Sequence, residues 1–393
     1  MSKENVRKGI LPDFIIFGAG NYNSLGVLHA MAEAGKSVFI LCVGNARDWK
    51  NGNVIGYSRF AGNIQVVGNA DEGAEWLIRH IDEFRDGCVV YPTGDNEEKA
   101  LDLRYDLLAH HYRFPNAGKQ GAVSRLMDKR IQTALAEKAG IRTLKGQFSN
   151  SEDFSFSRVC YPCMVKPLDS TAGSKADMRV CENEDELKKA LSEGVATKNF
   201  IVQQYIVNEA DLLFLGVSYP DGSVEIPALV RKPGVSPTGE YTHATVTTDV
   251  DAWLPERKEV ETFVRSLGYT GPFSIEFGLE KGKNYFFEIN LRNDGTSHYP
   301  LSAGVNVPMS YYDAIRGNQS RLNVAKQEYE MIDEVGDIRR VLSRETGLGQ
   351  WLRTFRSAGS YKFYRSSDKK LLPCICLMFI RRTAGKIRRS LHG

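Results

Sequence analysis

No apolar run in the 393-residue chain reaches the roughly 18–20 residues that a membrane-spanning helix needs. The closest, residues 371–380, is too short. No charged-then-apolar leader is expected, because residues 1–9 run straight into a short strand pattern. The seven cysteines are odd in number and scattered, unlike a small disulfide framework, so a reducing cytoplasm is the expected compartment. There is no internal repeat and no low-complexity tract, and net charge is only +3. Cys160-Tyr161-Pro162-Cys163 has neither a second cysteine pair nor a nearby histidine, which argues against zinc. Pro162, ahead of a strand, favours buried thiols there. Gly18-Ala19-Gly20 lacks the third glycine of a dinucleotide fingerprint, since Asn23 stands in its place. The next strand ends in Leu41-Cys42-Val43, without an acid for a ribose. No nucleophile elbow or Ser/His/Asp arrangement has supporting context.

What is present is an ordinary globular composition, 42% apolar and 25% charged, with length for two to three domains. Strand 14–17, a glycine turn, a helix over 25–34 and strand 37–43 make a parallel α/β unit. Strand 88–91 ends in Pro92-Thr93-Gly94-Asp95, and polar groups at such strand ends usually face a ligand crevice. A helix over 128–139 stops at Gly140. Short strands and helices then alternate: strands at 163–167, 200–206 and 212–217, helices at 184–192 and 256–267. Strands 273–279 and 285–291 follow as a hairpin around the glycine-bearing turn 280–284.

Strand side chains alternate faces. One face of 285–292 should carry Phe286, Glu288, Asn290 and Arg292, and one face of 273–279 should carry Ser274, Glu276 and Gly278. Two acids, an amide and an arginine would thus project together. Oxygen ligands of this kind suit Mg²⁺ shared with nucleotide phosphates, and arginine suits a phosphoryl oxygen. A hairpin with a merely solvated polar face has the same pattern. Lys166 ends an apolar strand ahead of the small, polar, glycine-bearing stretch 167–175, which contains Ser170, Gly173 and Ser174 and can fold over phosphates. Gln203-Gln204-Tyr205-Ile206 can bond an adenine edge, although taken alone it reads more readily as an edge strand with exposed amides.

The order of these parts resembles the ATP-grasp superfamily from about residue 14 to 308, most strongly in Phe287-Glu288-Ile289-Asn290-Leu291-Arg292. Tyr91-Pro92-Thr93-Gly94-Asp95, the helix from 126 and the 165–174 segment look similar to the carboxylate–amine ligases related to D-aspartate ligase. One departure is Ala176-Asp177, where relatives are often glycine-rich. The resemblance implies an α/β and α+β fold of ATP-grasp architecture, with an N-terminal Rossmann-like (pre-ATP-grasp) parallel-sheet domain. Residues 1–125 would form that domain and 126–325 the ATP-grasp domain, with a flexible subdomain at about 140–210 and a catalytic hairpin at 273–292. Residues 326–393 would be a basic C-terminal region.

The resemblance also implies ATP and Mg²⁺, with Mn²⁺ as a substitute. Lys129, Lys166, Ser170, Gly173, Ser174, Gln203, Ile206 and Asp211 (or else Glu209) would bind ATP. Glu276, Glu288 and Asn290 would hold the metal, and Arg292 would serve the transferring phosphoryl group, as would Arg231 of the pair Arg231-Lys232, which lies where relatives often place a basic residue near the γ-phosphate. The stretches 168–175 and 232–244 are candidate lids. Asn21 and Asp95, at the ends of parallel strands, are candidates for substrate contact, although Asp95 can equally cap the helix that starts near Glu97. The implied reaction joins a carboxylate to an amine through an acyl-phosphate, with an amino acid and a cell-envelope precursor as expected partners. Alternatives are a carboxylase or carbamoyl-phosphate-type enzyme, and a non-catalytic ATP-binding protein at a membrane. From 339 to the end the chain carries fourteen Lys or Arg against Glu345 and Asp368 alone. That tail suits the anionic inner face of a membrane or a small packed subdomain, with Pro373 arguing against one continuous helix. Nucleic acid is not an expected partner.

Overall fold

The computed structural model describes residues 12–148, 154–167, 178–193, 200–233, 241–318, 322 and 324–392. The chain begins with β1 (Phe14–Ala19), α1 (Tyr22–Glu33), β2 (Val38–Val43), β3 (Asn63–Val67), α2 (Ala70–Arg79), β4 (Cys88–Pro92), α3 (Asp95–Asp102), α4 (Tyr105–Leu108) and β5 (Tyr112–Arg113). Its strands pair in parallel in the order β3-β2-β1-β4-β5. Phe14, Ile15, Ile16 and Phe17 are all fully buried, as expected of a parallel strand covered on both faces. Strand order reverses between β1 and β4, and such a switch point opens a crevice at the strand ends. Asn21 and Asp95 follow those two ends directly. Gly18 and Gly20 serve close packing here. A Cβ on Gly18 would meet the Thr93 hydroxyl, and one on Gly20 would lie 2.7 Å from the Asn45 carbonyl oxygen.

After α5 (Ala122–Leu126) and α6 (Lys129–Lys138) come β6 (Gly146–Phe148), β7 (Cys163–Pro167), β8 (Arg179–Cys181), α7 (Glu184–Ser192) and β9 (Phe200–Gln204). These strands form an antiparallel sheet ordered β6-β9-β7-β8. Cys163, Val165, Leu187 and Val202 make its small core. Of the Cys160–Cys163 pair, only Cys163 is buried; Cys160 is exposed.

The rest is built on a seven-stranded sheet: β10 (Ala210–Ser218), β11 (Val224–Pro233), β12 (His243–Thr247), α8 (Arg257–Ser266), β13 (Gly271–Glu280), β14 (Lys283–Asn290), α9 (Val307–Ile315), β15 (Glu328–Ile332), α10 (Arg339–Leu342), α11 (Leu348–Ser357), β16 (Ser360–Tyr361) and α12 (Leu372–His392). Its order is β14-β13-β10-β11-β12-β15-β16. One face packs on α8 through Leu212, Phe214, Phe263, Phe277 and Phe286.

Three local features differ from the sequence expectation. The β13–β14 turn is only two residues, Lys281 and Gly282, at φ 51° and 70°, the positive pair that a tight hairpin turn needs. β14 holds one extra residue. Glu276 faces Glu288 and Phe277 faces Phe286, so Phe287 is left over as a bulge. The bulge breaks the alternation, putting Phe286 in the core behind the sheet rather than beside Glu288. The end of the tail, finally, forms one long helix, α12. Pro373 falls in its first turn, where a missing N–H costs nothing. Among the described residues no helix is long and apolar enough to cross a membrane.

Candidate active site

β13 and β14 set Glu276 and Glu288 directly opposite each other on the sheet face away from α8. Lys129, first residue of α6, places its ammonium 2.8 Å from Glu288. The helix start is fixed by Asp128, whose side chain accepts from the Arg130 N–H. Lys232, near the end of β11, lies 3.8 Å from Glu276. The two acids are thereby driven apart. Lys129 holds Glu288 down at about 2, whereas burial raises Glu276 above the usual carboxylate range. Lys166, ending β7, is pulled down to about 8 by burial and by Lys129. Its ammonium sits 6.0 Å from the centre of the Phe287 ring.

Beyond the acids, Asn290 donates to the Ser274 hydroxyl at 3.3 Å, and Ser274 donates to Asp294 at 3.1 Å. Arg292 donates to Asp95 at 2.7 Å and lies 3.9 Å from Asp294. Asp95 is the first residue of α3, with Gly94 as the cap residue, so its carboxylate is turned to Arg292 rather than capping the helix.

A crevice of about 170 Å³ is lined by Lys129, Lys166, Gln203 and Phe287 among others. Gln203 is buried, yet its side-chain oxygen has no hydrogen-bond partner among the described residues. A native fold rarely tolerates such an acceptor unless a ligand or water satisfies it. Ile206 and Phe287 both crowd Gly278: a Cβ there would lie 2.3 Å from Phe287 and 3.0 Å from Ile206. Asp211 lies opposite both Lys232 and Gly278, on the same side of the sheet, and receives a hydrogen bond from Asn208. Glu209 is occupied, accepting from the Lys281 N–H at 2.8 Å. Ser170, Gly173 and Ser174 lie outside the described residues, as do the whole 168–175 stretch and residues 234–240.

Among the described sequence candidates, Arg231 points away from the acids. It lies on the opposite face of β11, 4.7 Å from the Trp253 ring and 3.4 Å from the Thr245 hydroxyl. Adjacent strand residues face opposite ways, so its neighbour Lys232 is the cation beside the acids. Gln132 belongs to the site without being a sequence candidate. Buried on α6, it donates to the Ile289 carbonyl at 3.0 Å and accepts from the Ile289 N–H at 3.2 Å. It thereby fastens α6, and Lys129 with it, to the strand carrying Glu288. No local signal marks it among the polar residues of that helix. On the other flank, Asn21 lines a cavity of about 920 Å³ together with Tyr22, Tyr241 and Lys362. Lys232 lies 5.2 Å from the centre of the Tyr241 ring.

The three-sheet architecture matches that of N5-carboxyaminoimidazole synthetase from Staphylococcus aureus complexed with ADP (TM-score 0.64, 15% identity, covering 88% of both chains). It also matches the biotin carboxylase domain of Hydrogenobacter thermophilus 2-oxoglutarate carboxylase, in complex with MgADP and bicarbonate (TM-score 0.62, 15% identity, 82% of this chain and 74% of that one). The chain has the ATP-grasp fold. In sequence the chain is similar to the formate-dependent phosphoribosylglycinamide formyltransferase of Bacillus subtilis, with 29% identity over 193 residues, 46% of this chain and 48% of that one. The match thus spans about half the length of that curated relative. No protein-family model matches the chain.

Proposed function

We propose that the chain is an ATP-dependent ligase that activates a small carboxylate as an acyl-phosphate and transfers the acyl group to an amine, forming a carbon–nitrogen bond. The observation that carries this is the opposed pair Glu276 and Glu288, set among Lys129, Lys166, Lys232 and Arg292. Two carboxylates and an amide are too few for an all-protein cage, and no larger group of His, Cys, Asp or Glu converges among the described residues. Such a set suits Mg²⁺ completed by phosphate oxygens, which would neutralise charge on the transferring group. Lys129 and Lys166 would hold phosphates, and the unpartnered Gln203 oxygen would accept from an adenine edge. Arg292 and Lys232 flank the point where a substrate carboxylate oxygen would attack the γ-phosphorus as the bond to ADP breaks. The amine then attacks the acyl carbon and inorganic phosphate leaves. Relatives named for formate and bound to bicarbonate favour a small acid.

Phosphate release from Mg-ATP should rise when the right carboxylate is supplied from a panel of formate, bicarbonate and amino acids, with products read by mass spectrometry. Glu288→Gln should cut that release by about a hundredfold or more. ATP turnover unmoved by any carboxylate would leave the non-catalytic reading standing. Labelled bicarbonate fixed without amide formation would favour the carboxylase.

The finer reading, an amino acid joined to a cell-envelope precursor at the inner face of a membrane, draws on α12. Leu377 and Ile380 are exposed there beside an open apolar groove that includes Trp351, Phe355 and Phe379. If this face meets a membrane, Leu377→Asp with Ile380→Asp should release the protein from anionic liposomes in sedimentation. No sedimentation of the wild-type chain at low salt would remove the reading.

A further inference from the structure

We propose that the apolar groove between α11 and α12 seats the alkyl chain of an anionic single-chain amphiphile, with its charged head held by the cations along the rim. This goes beyond the ligase reading and does not depend on it. The groove holds about 550 Å³, within the roughly 300–1,000 Å³ that small-molecule sites occupy. Trp351 and Phe355 form one wall, and Leu372, Cys376, Phe379 and Ile380 form the other. Those four share one face of α12, and at 1.5 Å per residue they give the groove a length of roughly 12 Å. That is the shape of an extended chain.

The walls offer little to a polar ligand. Glu334 accepts from the Lys362, Phe363 and Tyr364 N–H groups at 3.0, 3.0 and 2.7 Å. The Trp351 N–H donates to Asp337 at 3.0 Å, and the Tyr361 hydroxyl donates to the Phe355 carbonyl at 2.6 Å. With these atoms occupied, affinity must come from apolar contact. Leu372 and Ile380 are 39% and 61% exposed, a patch that an apolar occupant would cover. Charge then selects the head. Exposed Lys369 and Lys370 stand just before Leu372, and exposed Arg353 and Arg356 flank Phe355 on α11. The acids of this region do not balance them: Glu334, Asp337 and Asp368 are buried, and Glu345 lies 3.8 Å from Arg340. An anionic head is therefore favoured over a cationic one, by a margin that salt reduces. The opposite face of α12 lines the 920 Å³ cavity through Met378 and Arg382, so the helix separates the occupant from that cavity.

The test is calorimetry on the full chain with alkyl probes kept below their micelle concentrations, so that no bilayer is present. Each methylene withdrawn from water tightens binding about fourfold, so dodecyl phosphate should bind at one site about tenfold or more tighter than decyl phosphate. At low salt it should also bind about tenfold more tightly than dodecyltrimethylammonium, and Lys369→Gln with Lys370→Gln should erase most of that preference. A bromine-bearing fatty acid should quench Trp351, a signal that Trp351→Phe removes. Leu372→Asp with Ile380→Asp should weaken dodecyl phosphate about tenfold or more. Should that variant fail to fold, dodecyl phosphate should still slow alkylation of the exposed Cys376 by iodoacetamide in a Cys160→Ser chain. Affinity blind to chain length or to the sign of the head, or an unquenched Trp351, would overturn the proposal. So would sedimentation with anionic liposomes without binding of any monomeric probe, which assigns the face to a bilayer. A dimer that the probes leave intact assigns the groove to a second copy and overturns it equally. ATP turnover that no carboxylate stimulates would sink the ligase reading and leave this binding result intact.

Discussion

Within the candidate site, Lys166 has a charge state exposed to pH. Burial and the neighbouring Lys129 favour its neutral form, so its proton is lost near pH 8 rather than far above. A bound phosphate would favour the charged form and raise that value. Nucleotide affinity should therefore be flat below about pH 8 and fall as pH rises through it, by at most about tenfold per unit. Phosphate groups are already ionised there, since their second pKa lies near 6. Calorimetric ATP titrations from about pH 7 to 9.5 should show the slope, and Lys166→Arg, which stays charged, should abolish it. A dissociation constant that is constant across the range in wild type would mean that Lys166 meets no phosphate. The adjacent pair Arg231 and Lys232 shows what residue-level reading cannot supply. Both are basic and both occupy the expected stretch, and only the facing of β11 separates them.

At the scale of elements, the bulge in β14 and the anchor from α6 belong together. The extra residue Phe287 perturbs the ladder just before Ile289, and Gln132 supplies both a donor and an acceptor to that backbone. Gln132→Leu would leave the Ile289 N–H and carbonyl with less than full partnership, at a cost of about 1–3 kcal/mol. It should also loosen the start of α6 relative to Glu288, so turnover should fall more than nucleotide affinity does. Thermal melts together with the kcat and KM of ATP would read this; a stability loss with intact turnover would make Gln132 a structural staple alone. The hairpin, its acids and the lysine-bearing α6 and β7 were legible because each is a short periodic run bounded by glycine or polar breaks. β11 was not. Pro227 interrupts its pattern, and it is accommodated where the pairing with β10 shifts register between Leu215 and Val217. The bulge was equally invisible, since one inserted residue leaves the composition of β14 unchanged.

At the scale of the whole molecule, the C-terminal region is part of the folded body. Asp337 is buried between Thr242 and Trp351, and β16 extends the main sheet. The buried Asp368 binds His29 at 3.1 Å, the Ser58 hydroxyl and the Arg59 N–H. Asp368→Ala would strand these groups and should destabilise the chain by about 2–4 kcal/mol, seen as a lowered urea midpoint. An unchanged midpoint would show the contact to be idle. The Asp368 contacts were not legible in the basic tail, because their partners are more than 300 positions away. The same distance has a temporal meaning. At 5–20 residues per second, the ribosome delivers Asp368 roughly 15–70 s after Ser58 and His29 have emerged. For that interval the first sheet exists without its last tether, and a nascent chain halted before residue 368 should be open to proteases at sites that the finished protein conceals.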